Sequence, residues 1–167
     1  MLYCIVRDGS MYSIELRTFN GDKCDFTKSS LSFEKYGTAF AASWNEGAQR
    51  YALVTRDNKL HILNEDLSAI KSGISIKSNS TSVTSDDKYI YVCYKASDNI
   101  PVDVFNWDGE KVGSFTIGGF SMPKDVAYNI QSLFFHNGQL HATVCSWTTG
   151  YQAYYDWVVS IDQSTLD

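Results

Sequence analysis

The stretch Val102–Phe115, VDVFNWDGEKVGSF, indicates the fold of this chain most directly. Apolar and polar residues alternate on both sides of Asp108-Gly109, which is the pattern of a strand with one buried face. An Asp-Gly pair between two such runs is typical of a type I′ turn, because Gly, Asn and Asp tolerate a positive φ. The stretch therefore predicts an antiparallel β-hairpin.

The same arrangement recurs along the chain. Runs rich in Tyr, Phe, Ile, Val and Leu flank further turn pairs at Asp8-Gly9, Asn20-Gly21, Asp57-Asn58 and Asn137-Gly138. The composition agrees, since 11 Tyr, 9 Phe and 4 Trp against 2 Pro favour strands over helices. The competing helical segment, Ser32–Ala48, is interrupted by glycines, so we predict a strand at 38–45. Together these patterns predict an all-β fold with no long helix.

The hairpins fall into a repeat. The turns that close the third strand of each unit lie at Asn20-Gly21, Glu65-Asp66, Asp108-Gly109 and Asp162-Gln163, spaced 45, 43 and 54 residues apart. A period of about 40–50 residues with four short strands per unit resembles the blades of a β-propeller. This resemblance implies antiparallel, four-stranded, propeller-like blades. Another antiparallel architecture, a β-sandwich or barrel, is the alternative.

The strands divide into about three and a half repeats, which we expect to form a single β-repeat domain over 1-167. A partial blade at 1-30 is followed by blades at 38-76 and 80-118 and a partial blade at 128-162. The repeats are incomplete at both ends, and each end leaves an unpaired sheet edge. A longer propeller, a ring shared between identical chains, and pairing of the termini would each complete the sheets. We expect one of the first two, either a longer chain or an oligomer of protein subunits.

Composition and charge exclude several classes of partner. The net charge is −5 and the Lys and Arg residues are scattered, so we expect no nucleic-acid partner. No apolar run approaches the roughly 18 residues of a membrane span, so we expect no membrane insertion. Cys4, Cys24, Cys93 and Cys145 match no zinc-binding spacing and are predicted to be reduced. Reduced cysteines are compatible with a cytoplasmic location, although a virion or extracellular surface is favoured by the resemblance described below.

Two predicted loops carry the candidate binding residues. In a propeller, the connections from second to third strands share one face with the connections between blades, and this face usually binds ligands. Lys95–Pro101 and Thr148–Gln152 are long connections of this kind. The candidate ligand-binding residues are Tyr151, Gln152, Trp147, Asp98 and Asn99. Aromatic rings stack on sugars and dominate protein interfaces, although the same rings could instead pack between blades.

Neither a cofactor nor a metal site is predicted. A tight hairpin places His136 opposite Gln139 and His141 opposite Phe134, so the two imidazoles are not expected to face each other. Most acidic pairs lie at turns, where their side chains cap the backbone. Asp103 is unusual because it lies within a predicted strand, and we expect it to face solvent.

These observations predict a non-catalytic binding or adhesion module that recognises a carbohydrate or a cell-surface receptor. The chain also resembles the propeller modules of phage receptor-binding and bacterial surface proteins, which implies a phage-tail or bacterial-surface setting. A structural assembly subunit with no soluble ligand is one alternative. A glycan-cleaving propeller enzyme is the other, since carboxylates such as Asp98, Asp103 and Asp156 could converge.

Overall fold

The computed structural model describes residues 2–8, 11–20, 25–28, 31–96, 99–118, 126–148 and 154–160. For the first three of these ranges, and for 126–129, 131, 146–148, 154–157 and 159, the description concerns the backbone alone. The strands in chain order are β1 (Leu2–Asp8), β2 (Met11–Asn20), β3 (Asp25–Lys28), β4 (Ala39–Asn45), β5 (Arg50–Thr55), β6 (Lys59–Asn64), β7 (Ala69–Ser75), β8 (Ser80–Ser85), β9 (Tyr89–Tyr94), β10 (Ile100–Asn106), β11 (Lys111–Ile117), β12 (Val126–His136), β13 (Gln139–Thr148) and β14 (Tyr154–Ser160). A short 3-10 turn, Glu34–Tyr36, precedes β4.

The strands form antiparallel sheets, each built from consecutive strands. Sheet I (β1–β3) and sheet IV (β12–β14) have three described strands, whereas sheet II (β4–β7) and sheet III (β8–β11) have four. The first strands of sheets II, III and IV lie side by side, because β8 contacts both β4 and β12. The predicted all-β fold of antiparallel, blade-like sheets is therefore confirmed, as is the predicted strand at 38–45, which is β4. Within the described residues, no helix has the length and hydrophobicity needed to span a membrane.

The hairpin at Asn137-Gly138 has the predicted turn. Both turn residues have positive φ, 51° and 75°. His136 pairs with Gln139 across them, which leaves a loop of two residues. These are the properties of a type I′ turn, whose twist matches that of the flanking strands.

The hairpin at Asp108-Gly109 has a different turn from the one predicted. Only Gly109 of this pair has a positive φ, 81°, and the N–H of Asn106 donates to the carbonyl of Glu110 across three residues. The prediction of a type I′ turn is wrong here, because the conformation is a type I turn closed by a bulge. The Asn106 side chain stabilises it, since its Oδ1 accepts hydrogen bonds from the N–H groups of Asp108 and Glu110.

Sheet III lies at the centre of the core because each of its faces packs on a different sheet. Alternate residues of a strand point to opposite faces, so Val102 and Val104 of β10 face sheet IV while Phe105 faces sheet II. The cluster between sheets III and IV also contains Ile100, Ile130, Leu140 and Val144, all buried. The cluster between sheets II and III contains Val54, Leu60, Ile62, Ile90, Val92 and Trp107. Burial of these apolar faces fixes the two junctions between sheets.

The connector before β4 covers the other face of sheet II. Phe33 is buried and packs edge-on against Tyr51, with ring centroids 5.8 Å apart. The hydroxyl of Tyr36 donates to the carbonyl of Leu67 at 2.6 Å. Sheet II thus has a buried face on each side.

Candidate functional site

The connections between strands lie at two ends of the sheets. Because successive strands run in opposite directions, the β5–β6, β7–β8 and β9–β10 connections share one end. Backbone hydrogen bonds join them: Ile76 N–H donates to the Asn58 carbonyl at 3.1 Å, and Lys95 N–H donates to the Asn79 carbonyl at 2.8 Å. This is the end at which the sequence predicts ligand binding.

The two ends carry opposite charge. We call the end with the β5–β6, β7–β8 and β9–β10 connections the basic end. Among the described residues its positive side chains are Arg56, Lys59, Lys77 and Lys95, and its negative side chain is Asp57. The opposite end, the acidic end, carries Glu46, Glu65, Asp66, Asp86, Asp87, Asp108 and Glu110 against Arg50, Lys88 and Lys111. The chain as a whole has a net charge of −5, so the basic end is a local departure from the overall charge.

A cavity of about 370 Å³ opens at the basic end between sheets II and III. We call it the groove, and its lining residues are Phe40, Thr55, Arg56, Asn58, Ser78, Asn79 and Ser80. The lining contains one cation, Arg56, and no acid. A larger cavity of about 550 Å³ at the acidic end differs in charge, since Glu65 and Asp66 are part of its lining.

Arg56 is positioned by the residues around it. Its guanidinium lies over the ring of Phe40, 5.4 Å from the centroid, in a cation–π arrangement. The backbone N–H of Arg56 donates to the carbonyl of Thr38 at 3.0 Å, which joins the β5–β6 loop to the segment before β4. The same loop ends at Asn58, whose φ of 62° closes the turn. The Asp57 carboxylate in this loop accepts a hydrogen bond from the Thr55 hydroxyl.

The groove has the chemistry of an anion site. The guanidinium offers N–H donors in a planar fork that matches a carboxylate or phosphate. The other polar lining groups are amides and hydroxyls, which are able to donate hydrogen bonds to the same anion. These groups come from Asn58, Ser78, Asn79 and Ser80, in two connections of neighbouring sheets, whereas the Thr55 hydroxyl donates to Asp57. An anion could therefore be held from both sides of the groove.

Asp103, in β10, binds Lys77 of the β7–β8 connection. It is 2% exposed, and its Oδ1 lies 2.9 Å from Nζ of Lys77 and 2.8 Å from Nζ of Lys111. The expectation that Asp103 faces solvent is wrong, because alternation along β10 places it on the same face as Phe105, toward sheet II. Burial by itself raises the pKa of Asp103, but hydrogen bonds from Lys111 and Lys77 outweigh burial and hold that pKa below its ordinary value. The charged carboxylate thus fixes Lys77 beside the groove.

Of the five candidate ligand-binding residues, only Asn99 has a described side-chain environment. It lies at the basic end with a φ of 49°, and its side chain abuts Gly118. Asp98, Tyr151 and Gln152 lie outside the described residues. Trp147 is described by its backbone in β13, opposite Ala127 and Tyr154. The role of all five in binding remains a prediction.

The groove residues are not evident from the sequence. Their local signals, the Asp57-Asn58 turn and the polar run Ser78–Ser80, are those of ordinary connections. Arg56 directly after a buried strand was the one signal that could have drawn attention to the site. It is informative only once the packing of two sheets places the run 78–80 next to it.

The two histidines of sheet IV lie closer together than expected. The predicted register is confirmed, with His136 opposite Gln139 and His141 opposite Phe134. The rings of His136 and His141 nevertheless approach diagonally, with centroids 6.1 Å apart, because residues two positions away on the same face are within reach of long side chains. Among the described residues, no group of three or more His, Cys, Asp or Glu side chains is placed to hold a metal ion.

Comparison with known proteins identifies the fold. No protein-family model and no curated protein matches the sequence. A chain in the crystal structure of a nidogen/laminin complex superposes with a TM-score of 0.50 at 11% identity, covering 87% of this chain and 56% of that chain. Sqt1 of Saccharomyces cerevisiae superposes with a TM-score of 0.47 at 11% identity, covering 90% of this chain and 38% of that chain. This chain thus spans about half of the nidogen/laminin chain that it matches. The nidogen/laminin chain is a β-propeller, and the likeness is one of fold.

Proposed function

We propose that this chain is a protein-binding module whose groove holds an acidic segment of a partner protein. The observation that carries the proposal is the lining of the groove, in which Arg56 is the charged residue and the other polar groups are neutral. Lys59 and Lys95 lie at the same end and add to its positive potential, whereas Lys77 is paired with Asp103. Opposite potentials on two surfaces raise the rate of association and favour the correct partner.

The site fits a side-chain or terminal carboxylate better than a large apolar group. The groove presents polar lining over much of its surface, and its one aromatic ring, Phe40, already carries the guanidinium of Arg56. A carboxylate could accept a hydrogen bond from that guanidinium. Further acidic residues of the same segment would then meet Lys95, at a position exposed to solvent.

The fold of the relatives is compatible with this function. One of them is a propeller in a nidogen/laminin complex, that is, in a complex between proteins. The same fold serves many functions, so the proposal depends on the groove rather than on the relative.

The finer predictions from the sequence concern other ligands. Carbohydrate recognition in a phage-tail or bacterial-surface setting rests on Tyr151, Gln152 and Trp147, and it remains an alternative outcome of the same experiment. The glycan-cleaving alternative loses one of its carboxylates, because Asp103 is engaged by Lys77 and Lys111.

The test compares two arginines at opposite ends of β5. We would measure binding of a fluorescent peptide rich in Asp and Glu by anisotropy, with a peptide of the same length rich in Ser as the reference. Arg56→Glu, at the basic end, should weaken binding of the acidic peptide by at least about tenfold, since it replaces attraction by repulsion. Arg50→Glu makes the same change in net charge at the acidic end and should leave the affinity within about twofold. Added salt should weaken the wild-type interaction, because the site is open to solvent.

Two outcomes contradict the proposal. Equal losses in both arginine variants would show a general effect of net charge rather than a site. Binding to a glycan array that Tyr151→Ala abolishes, together with no affinity for the acidic peptide, would establish carbohydrate recognition instead.

A further inference from the structure

A bulge in β7 brings a serine onto a buried histidine, which is linked through Thr55 to the basic end. The pairing of β6 with β7 shifts between Leu60 and Ile62, whose partners are Ile74 and Lys71. The additional residues, Ser72 and Gly73, thus lie opposite His61, and Gly73 adopts a φ of 73° that the bulge requires.

His61 lies in a chain of hydrogen bonds that fixes its tautomer. Its Nδ1 lies 3.0 Å from Oγ of Ser72 and 3.3 Å from the backbone nitrogen of Gly73. Because an amide N–H can only donate, Nδ1 is an acceptor and the ring proton is on Nε2. That Nε2 lies 3.3 Å from Oγ1 of Thr55, whose hydroxyl donates to the carboxylate of Asp57.

The order of groups is that of an activated nucleophile. The hydroxyl of Ser72 faces an unprotonated imidazole nitrogen, and the opposite nitrogen is oriented through Thr55 toward the negative charge of Asp57. Nucleophile, base and orienting group are recognised by geometry rather than by order in the sequence. Ser72 is exposed on β7, whereas His61 is 5% exposed, so a substrate could reach the hydroxyl while the base stays shielded.

We propose that Ser72 is a nucleophile, with His61 as its general base, and that the site accepts the acyl group of small activated carboxylic esters. Oγ of Ser72 would form a bond to the acyl carbon as its proton passes to Nδ1 of His61. The carbon–oxygen bond to the alcohol then breaks, and the alcohol leaves with the proton from Nδ1. Water, deprotonated by the same nitrogen, would attack the acyl-serine, release the carboxylic acid and restore the hydroxyl.

The surroundings keep the base neutral. Burial lowers the pKa of His61 below its ordinary value of 6.5, an effect that Asp57 opposes and Lys59 adds to. The ring of Tyr36 also packs against His61, with ring centroids 5.0 Å apart. His61 is therefore unprotonated, and able to accept a proton, at neutral pH.

Labelling with a fluorophosphonate tests the nucleophile directly. The Oγ–phosphorus bond forms as fluoride leaves, and peptide mapping by mass spectrometry identifies the serine. We expect Ser72 to react at least about a hundredfold faster than Ser75, an exposed serine of the same strand, because general-base assistance is of this order. Ser72→Ala should abolish labelling and the hydrolysis of p-nitrophenyl acetate attributable to this site, whereas Ser75→Ala should change neither.

The base and the orienting group have separate readouts. His61→Gln should slow labelling of Ser72 by about a hundredfold. Asp57→Asn, which acts through Thr55, should move the midpoint of the pH–rate profile to lower pH, since it removes a charge that stabilises the imidazolium. If His61→Gln unfolds, as judged by far-UV circular dichroism, the wild-type profile still decides, because the rate must fall as the pH drops through the pKa of His61.

Three results would overturn the inference. They are labelling of Ser72 no faster than Ser75, undiminished labelling in folded His61→Gln, and a wild-type rate that does not fall with His61 protonation. Any of them would leave Ser72 as a structural partner of His61. Thr55 also lines the groove, but none of these results measures peptide binding there, so the proposed binding function is tested separately.

Discussion

Asp103 keeps a negative charge although only 2% of its surface is exposed. The lysines that pair with it are 54% and 44% exposed, so they reach water while the carboxylate does not. We expect Asp103→Asn to lower the free energy of unfolding by about 1.5–3 kcal/mol, the range for hydrogen bonds to charged groups. Urea unfolding near pH 7 would measure the loss, with Asp108→Asn, in an exposed turn, as the control that should be near neutral.

The pH dependence of this effect has a definite sign. The pKa of native Asp103 lies below its ordinary value of 3.8, so its contribution is complete well above that pH and is lost as the pH falls through the native pKa. The difference between wild type and Asp103→Asn should therefore shrink as the pH is lowered below 3.8. A difference that stays constant with pH would show that the two ion pairs do not stabilise the fold.

At this scale the sequence predicted less than at any other. It showed that Asp103 was unusual for a strand. Alternation, however, does not reveal whether one face of a sheet or both faces are buried. Its partners, Lys77 and Lys111, lie in a connection and in another strand, and neither stands out among the other lysines of the sequence. The environment of a buried charge depends on contacts across sheets, which no local pattern encodes.

At the scale of the element, Gly109 and Gly138 have the same backbone conformation in different surroundings. Their φ values are 81° and 75°, so alanine at either position would cost about 1 kcal/mol of backbone strain. A Cβ at 109 would also lie 2.6 Å from Cδ1 of Ile74, whereas a Cβ at 138 meets no atom within 4 Å. We expect Gly138→Ala to lower the free energy of unfolding by about 1 kcal/mol and Gly109→Ala by about 1 kcal/mol more. Chemical denaturation of the two variants checks this, and equal losses would mean that the β10–β11 turn does not pack on β7.

These two turns also show what the sequence could and could not predict about the elements. The turn pairs located the hairpins because Gly, Asn and Asp at a chain reversal are a local signal. Two nearly identical signals nevertheless gave different turns, since the side chain of Asn106 caps one of them. Hairpin position was therefore predictable, and turn conformation was not.

At the scale of the whole molecule, the fold was predictable because every sheet is built from neighbouring strands. Alternation and turns are properties of short segments, and their repetition predicts an antiparallel, blade-like architecture. The groove is different, because Phe40, Arg56 and Asn79 meet only where sheet II packs on sheet III. A site formed between repeats cannot be found by analysing each repeat alone.

The edge of sheet IV is where the sequence predicts an incomplete blade. In the described part of the chain β14 pairs with β13 alone, and Val158 of β14 is 65% exposed. We propose that this edge pairs with a strand of another copy, since exposed apolar edge strands template such pairing. Val158→Lys should then shift a concentration-dependent mass, measured by light scattering, toward the monomer. Val112→Lys is the matched control. Val112 is 51% exposed on β11, the outer strand of a sheet that already has four strands. A wild-type chain that keeps the monomer mass at every concentration, or equal effects of both lysines, would contradict pairing through β14.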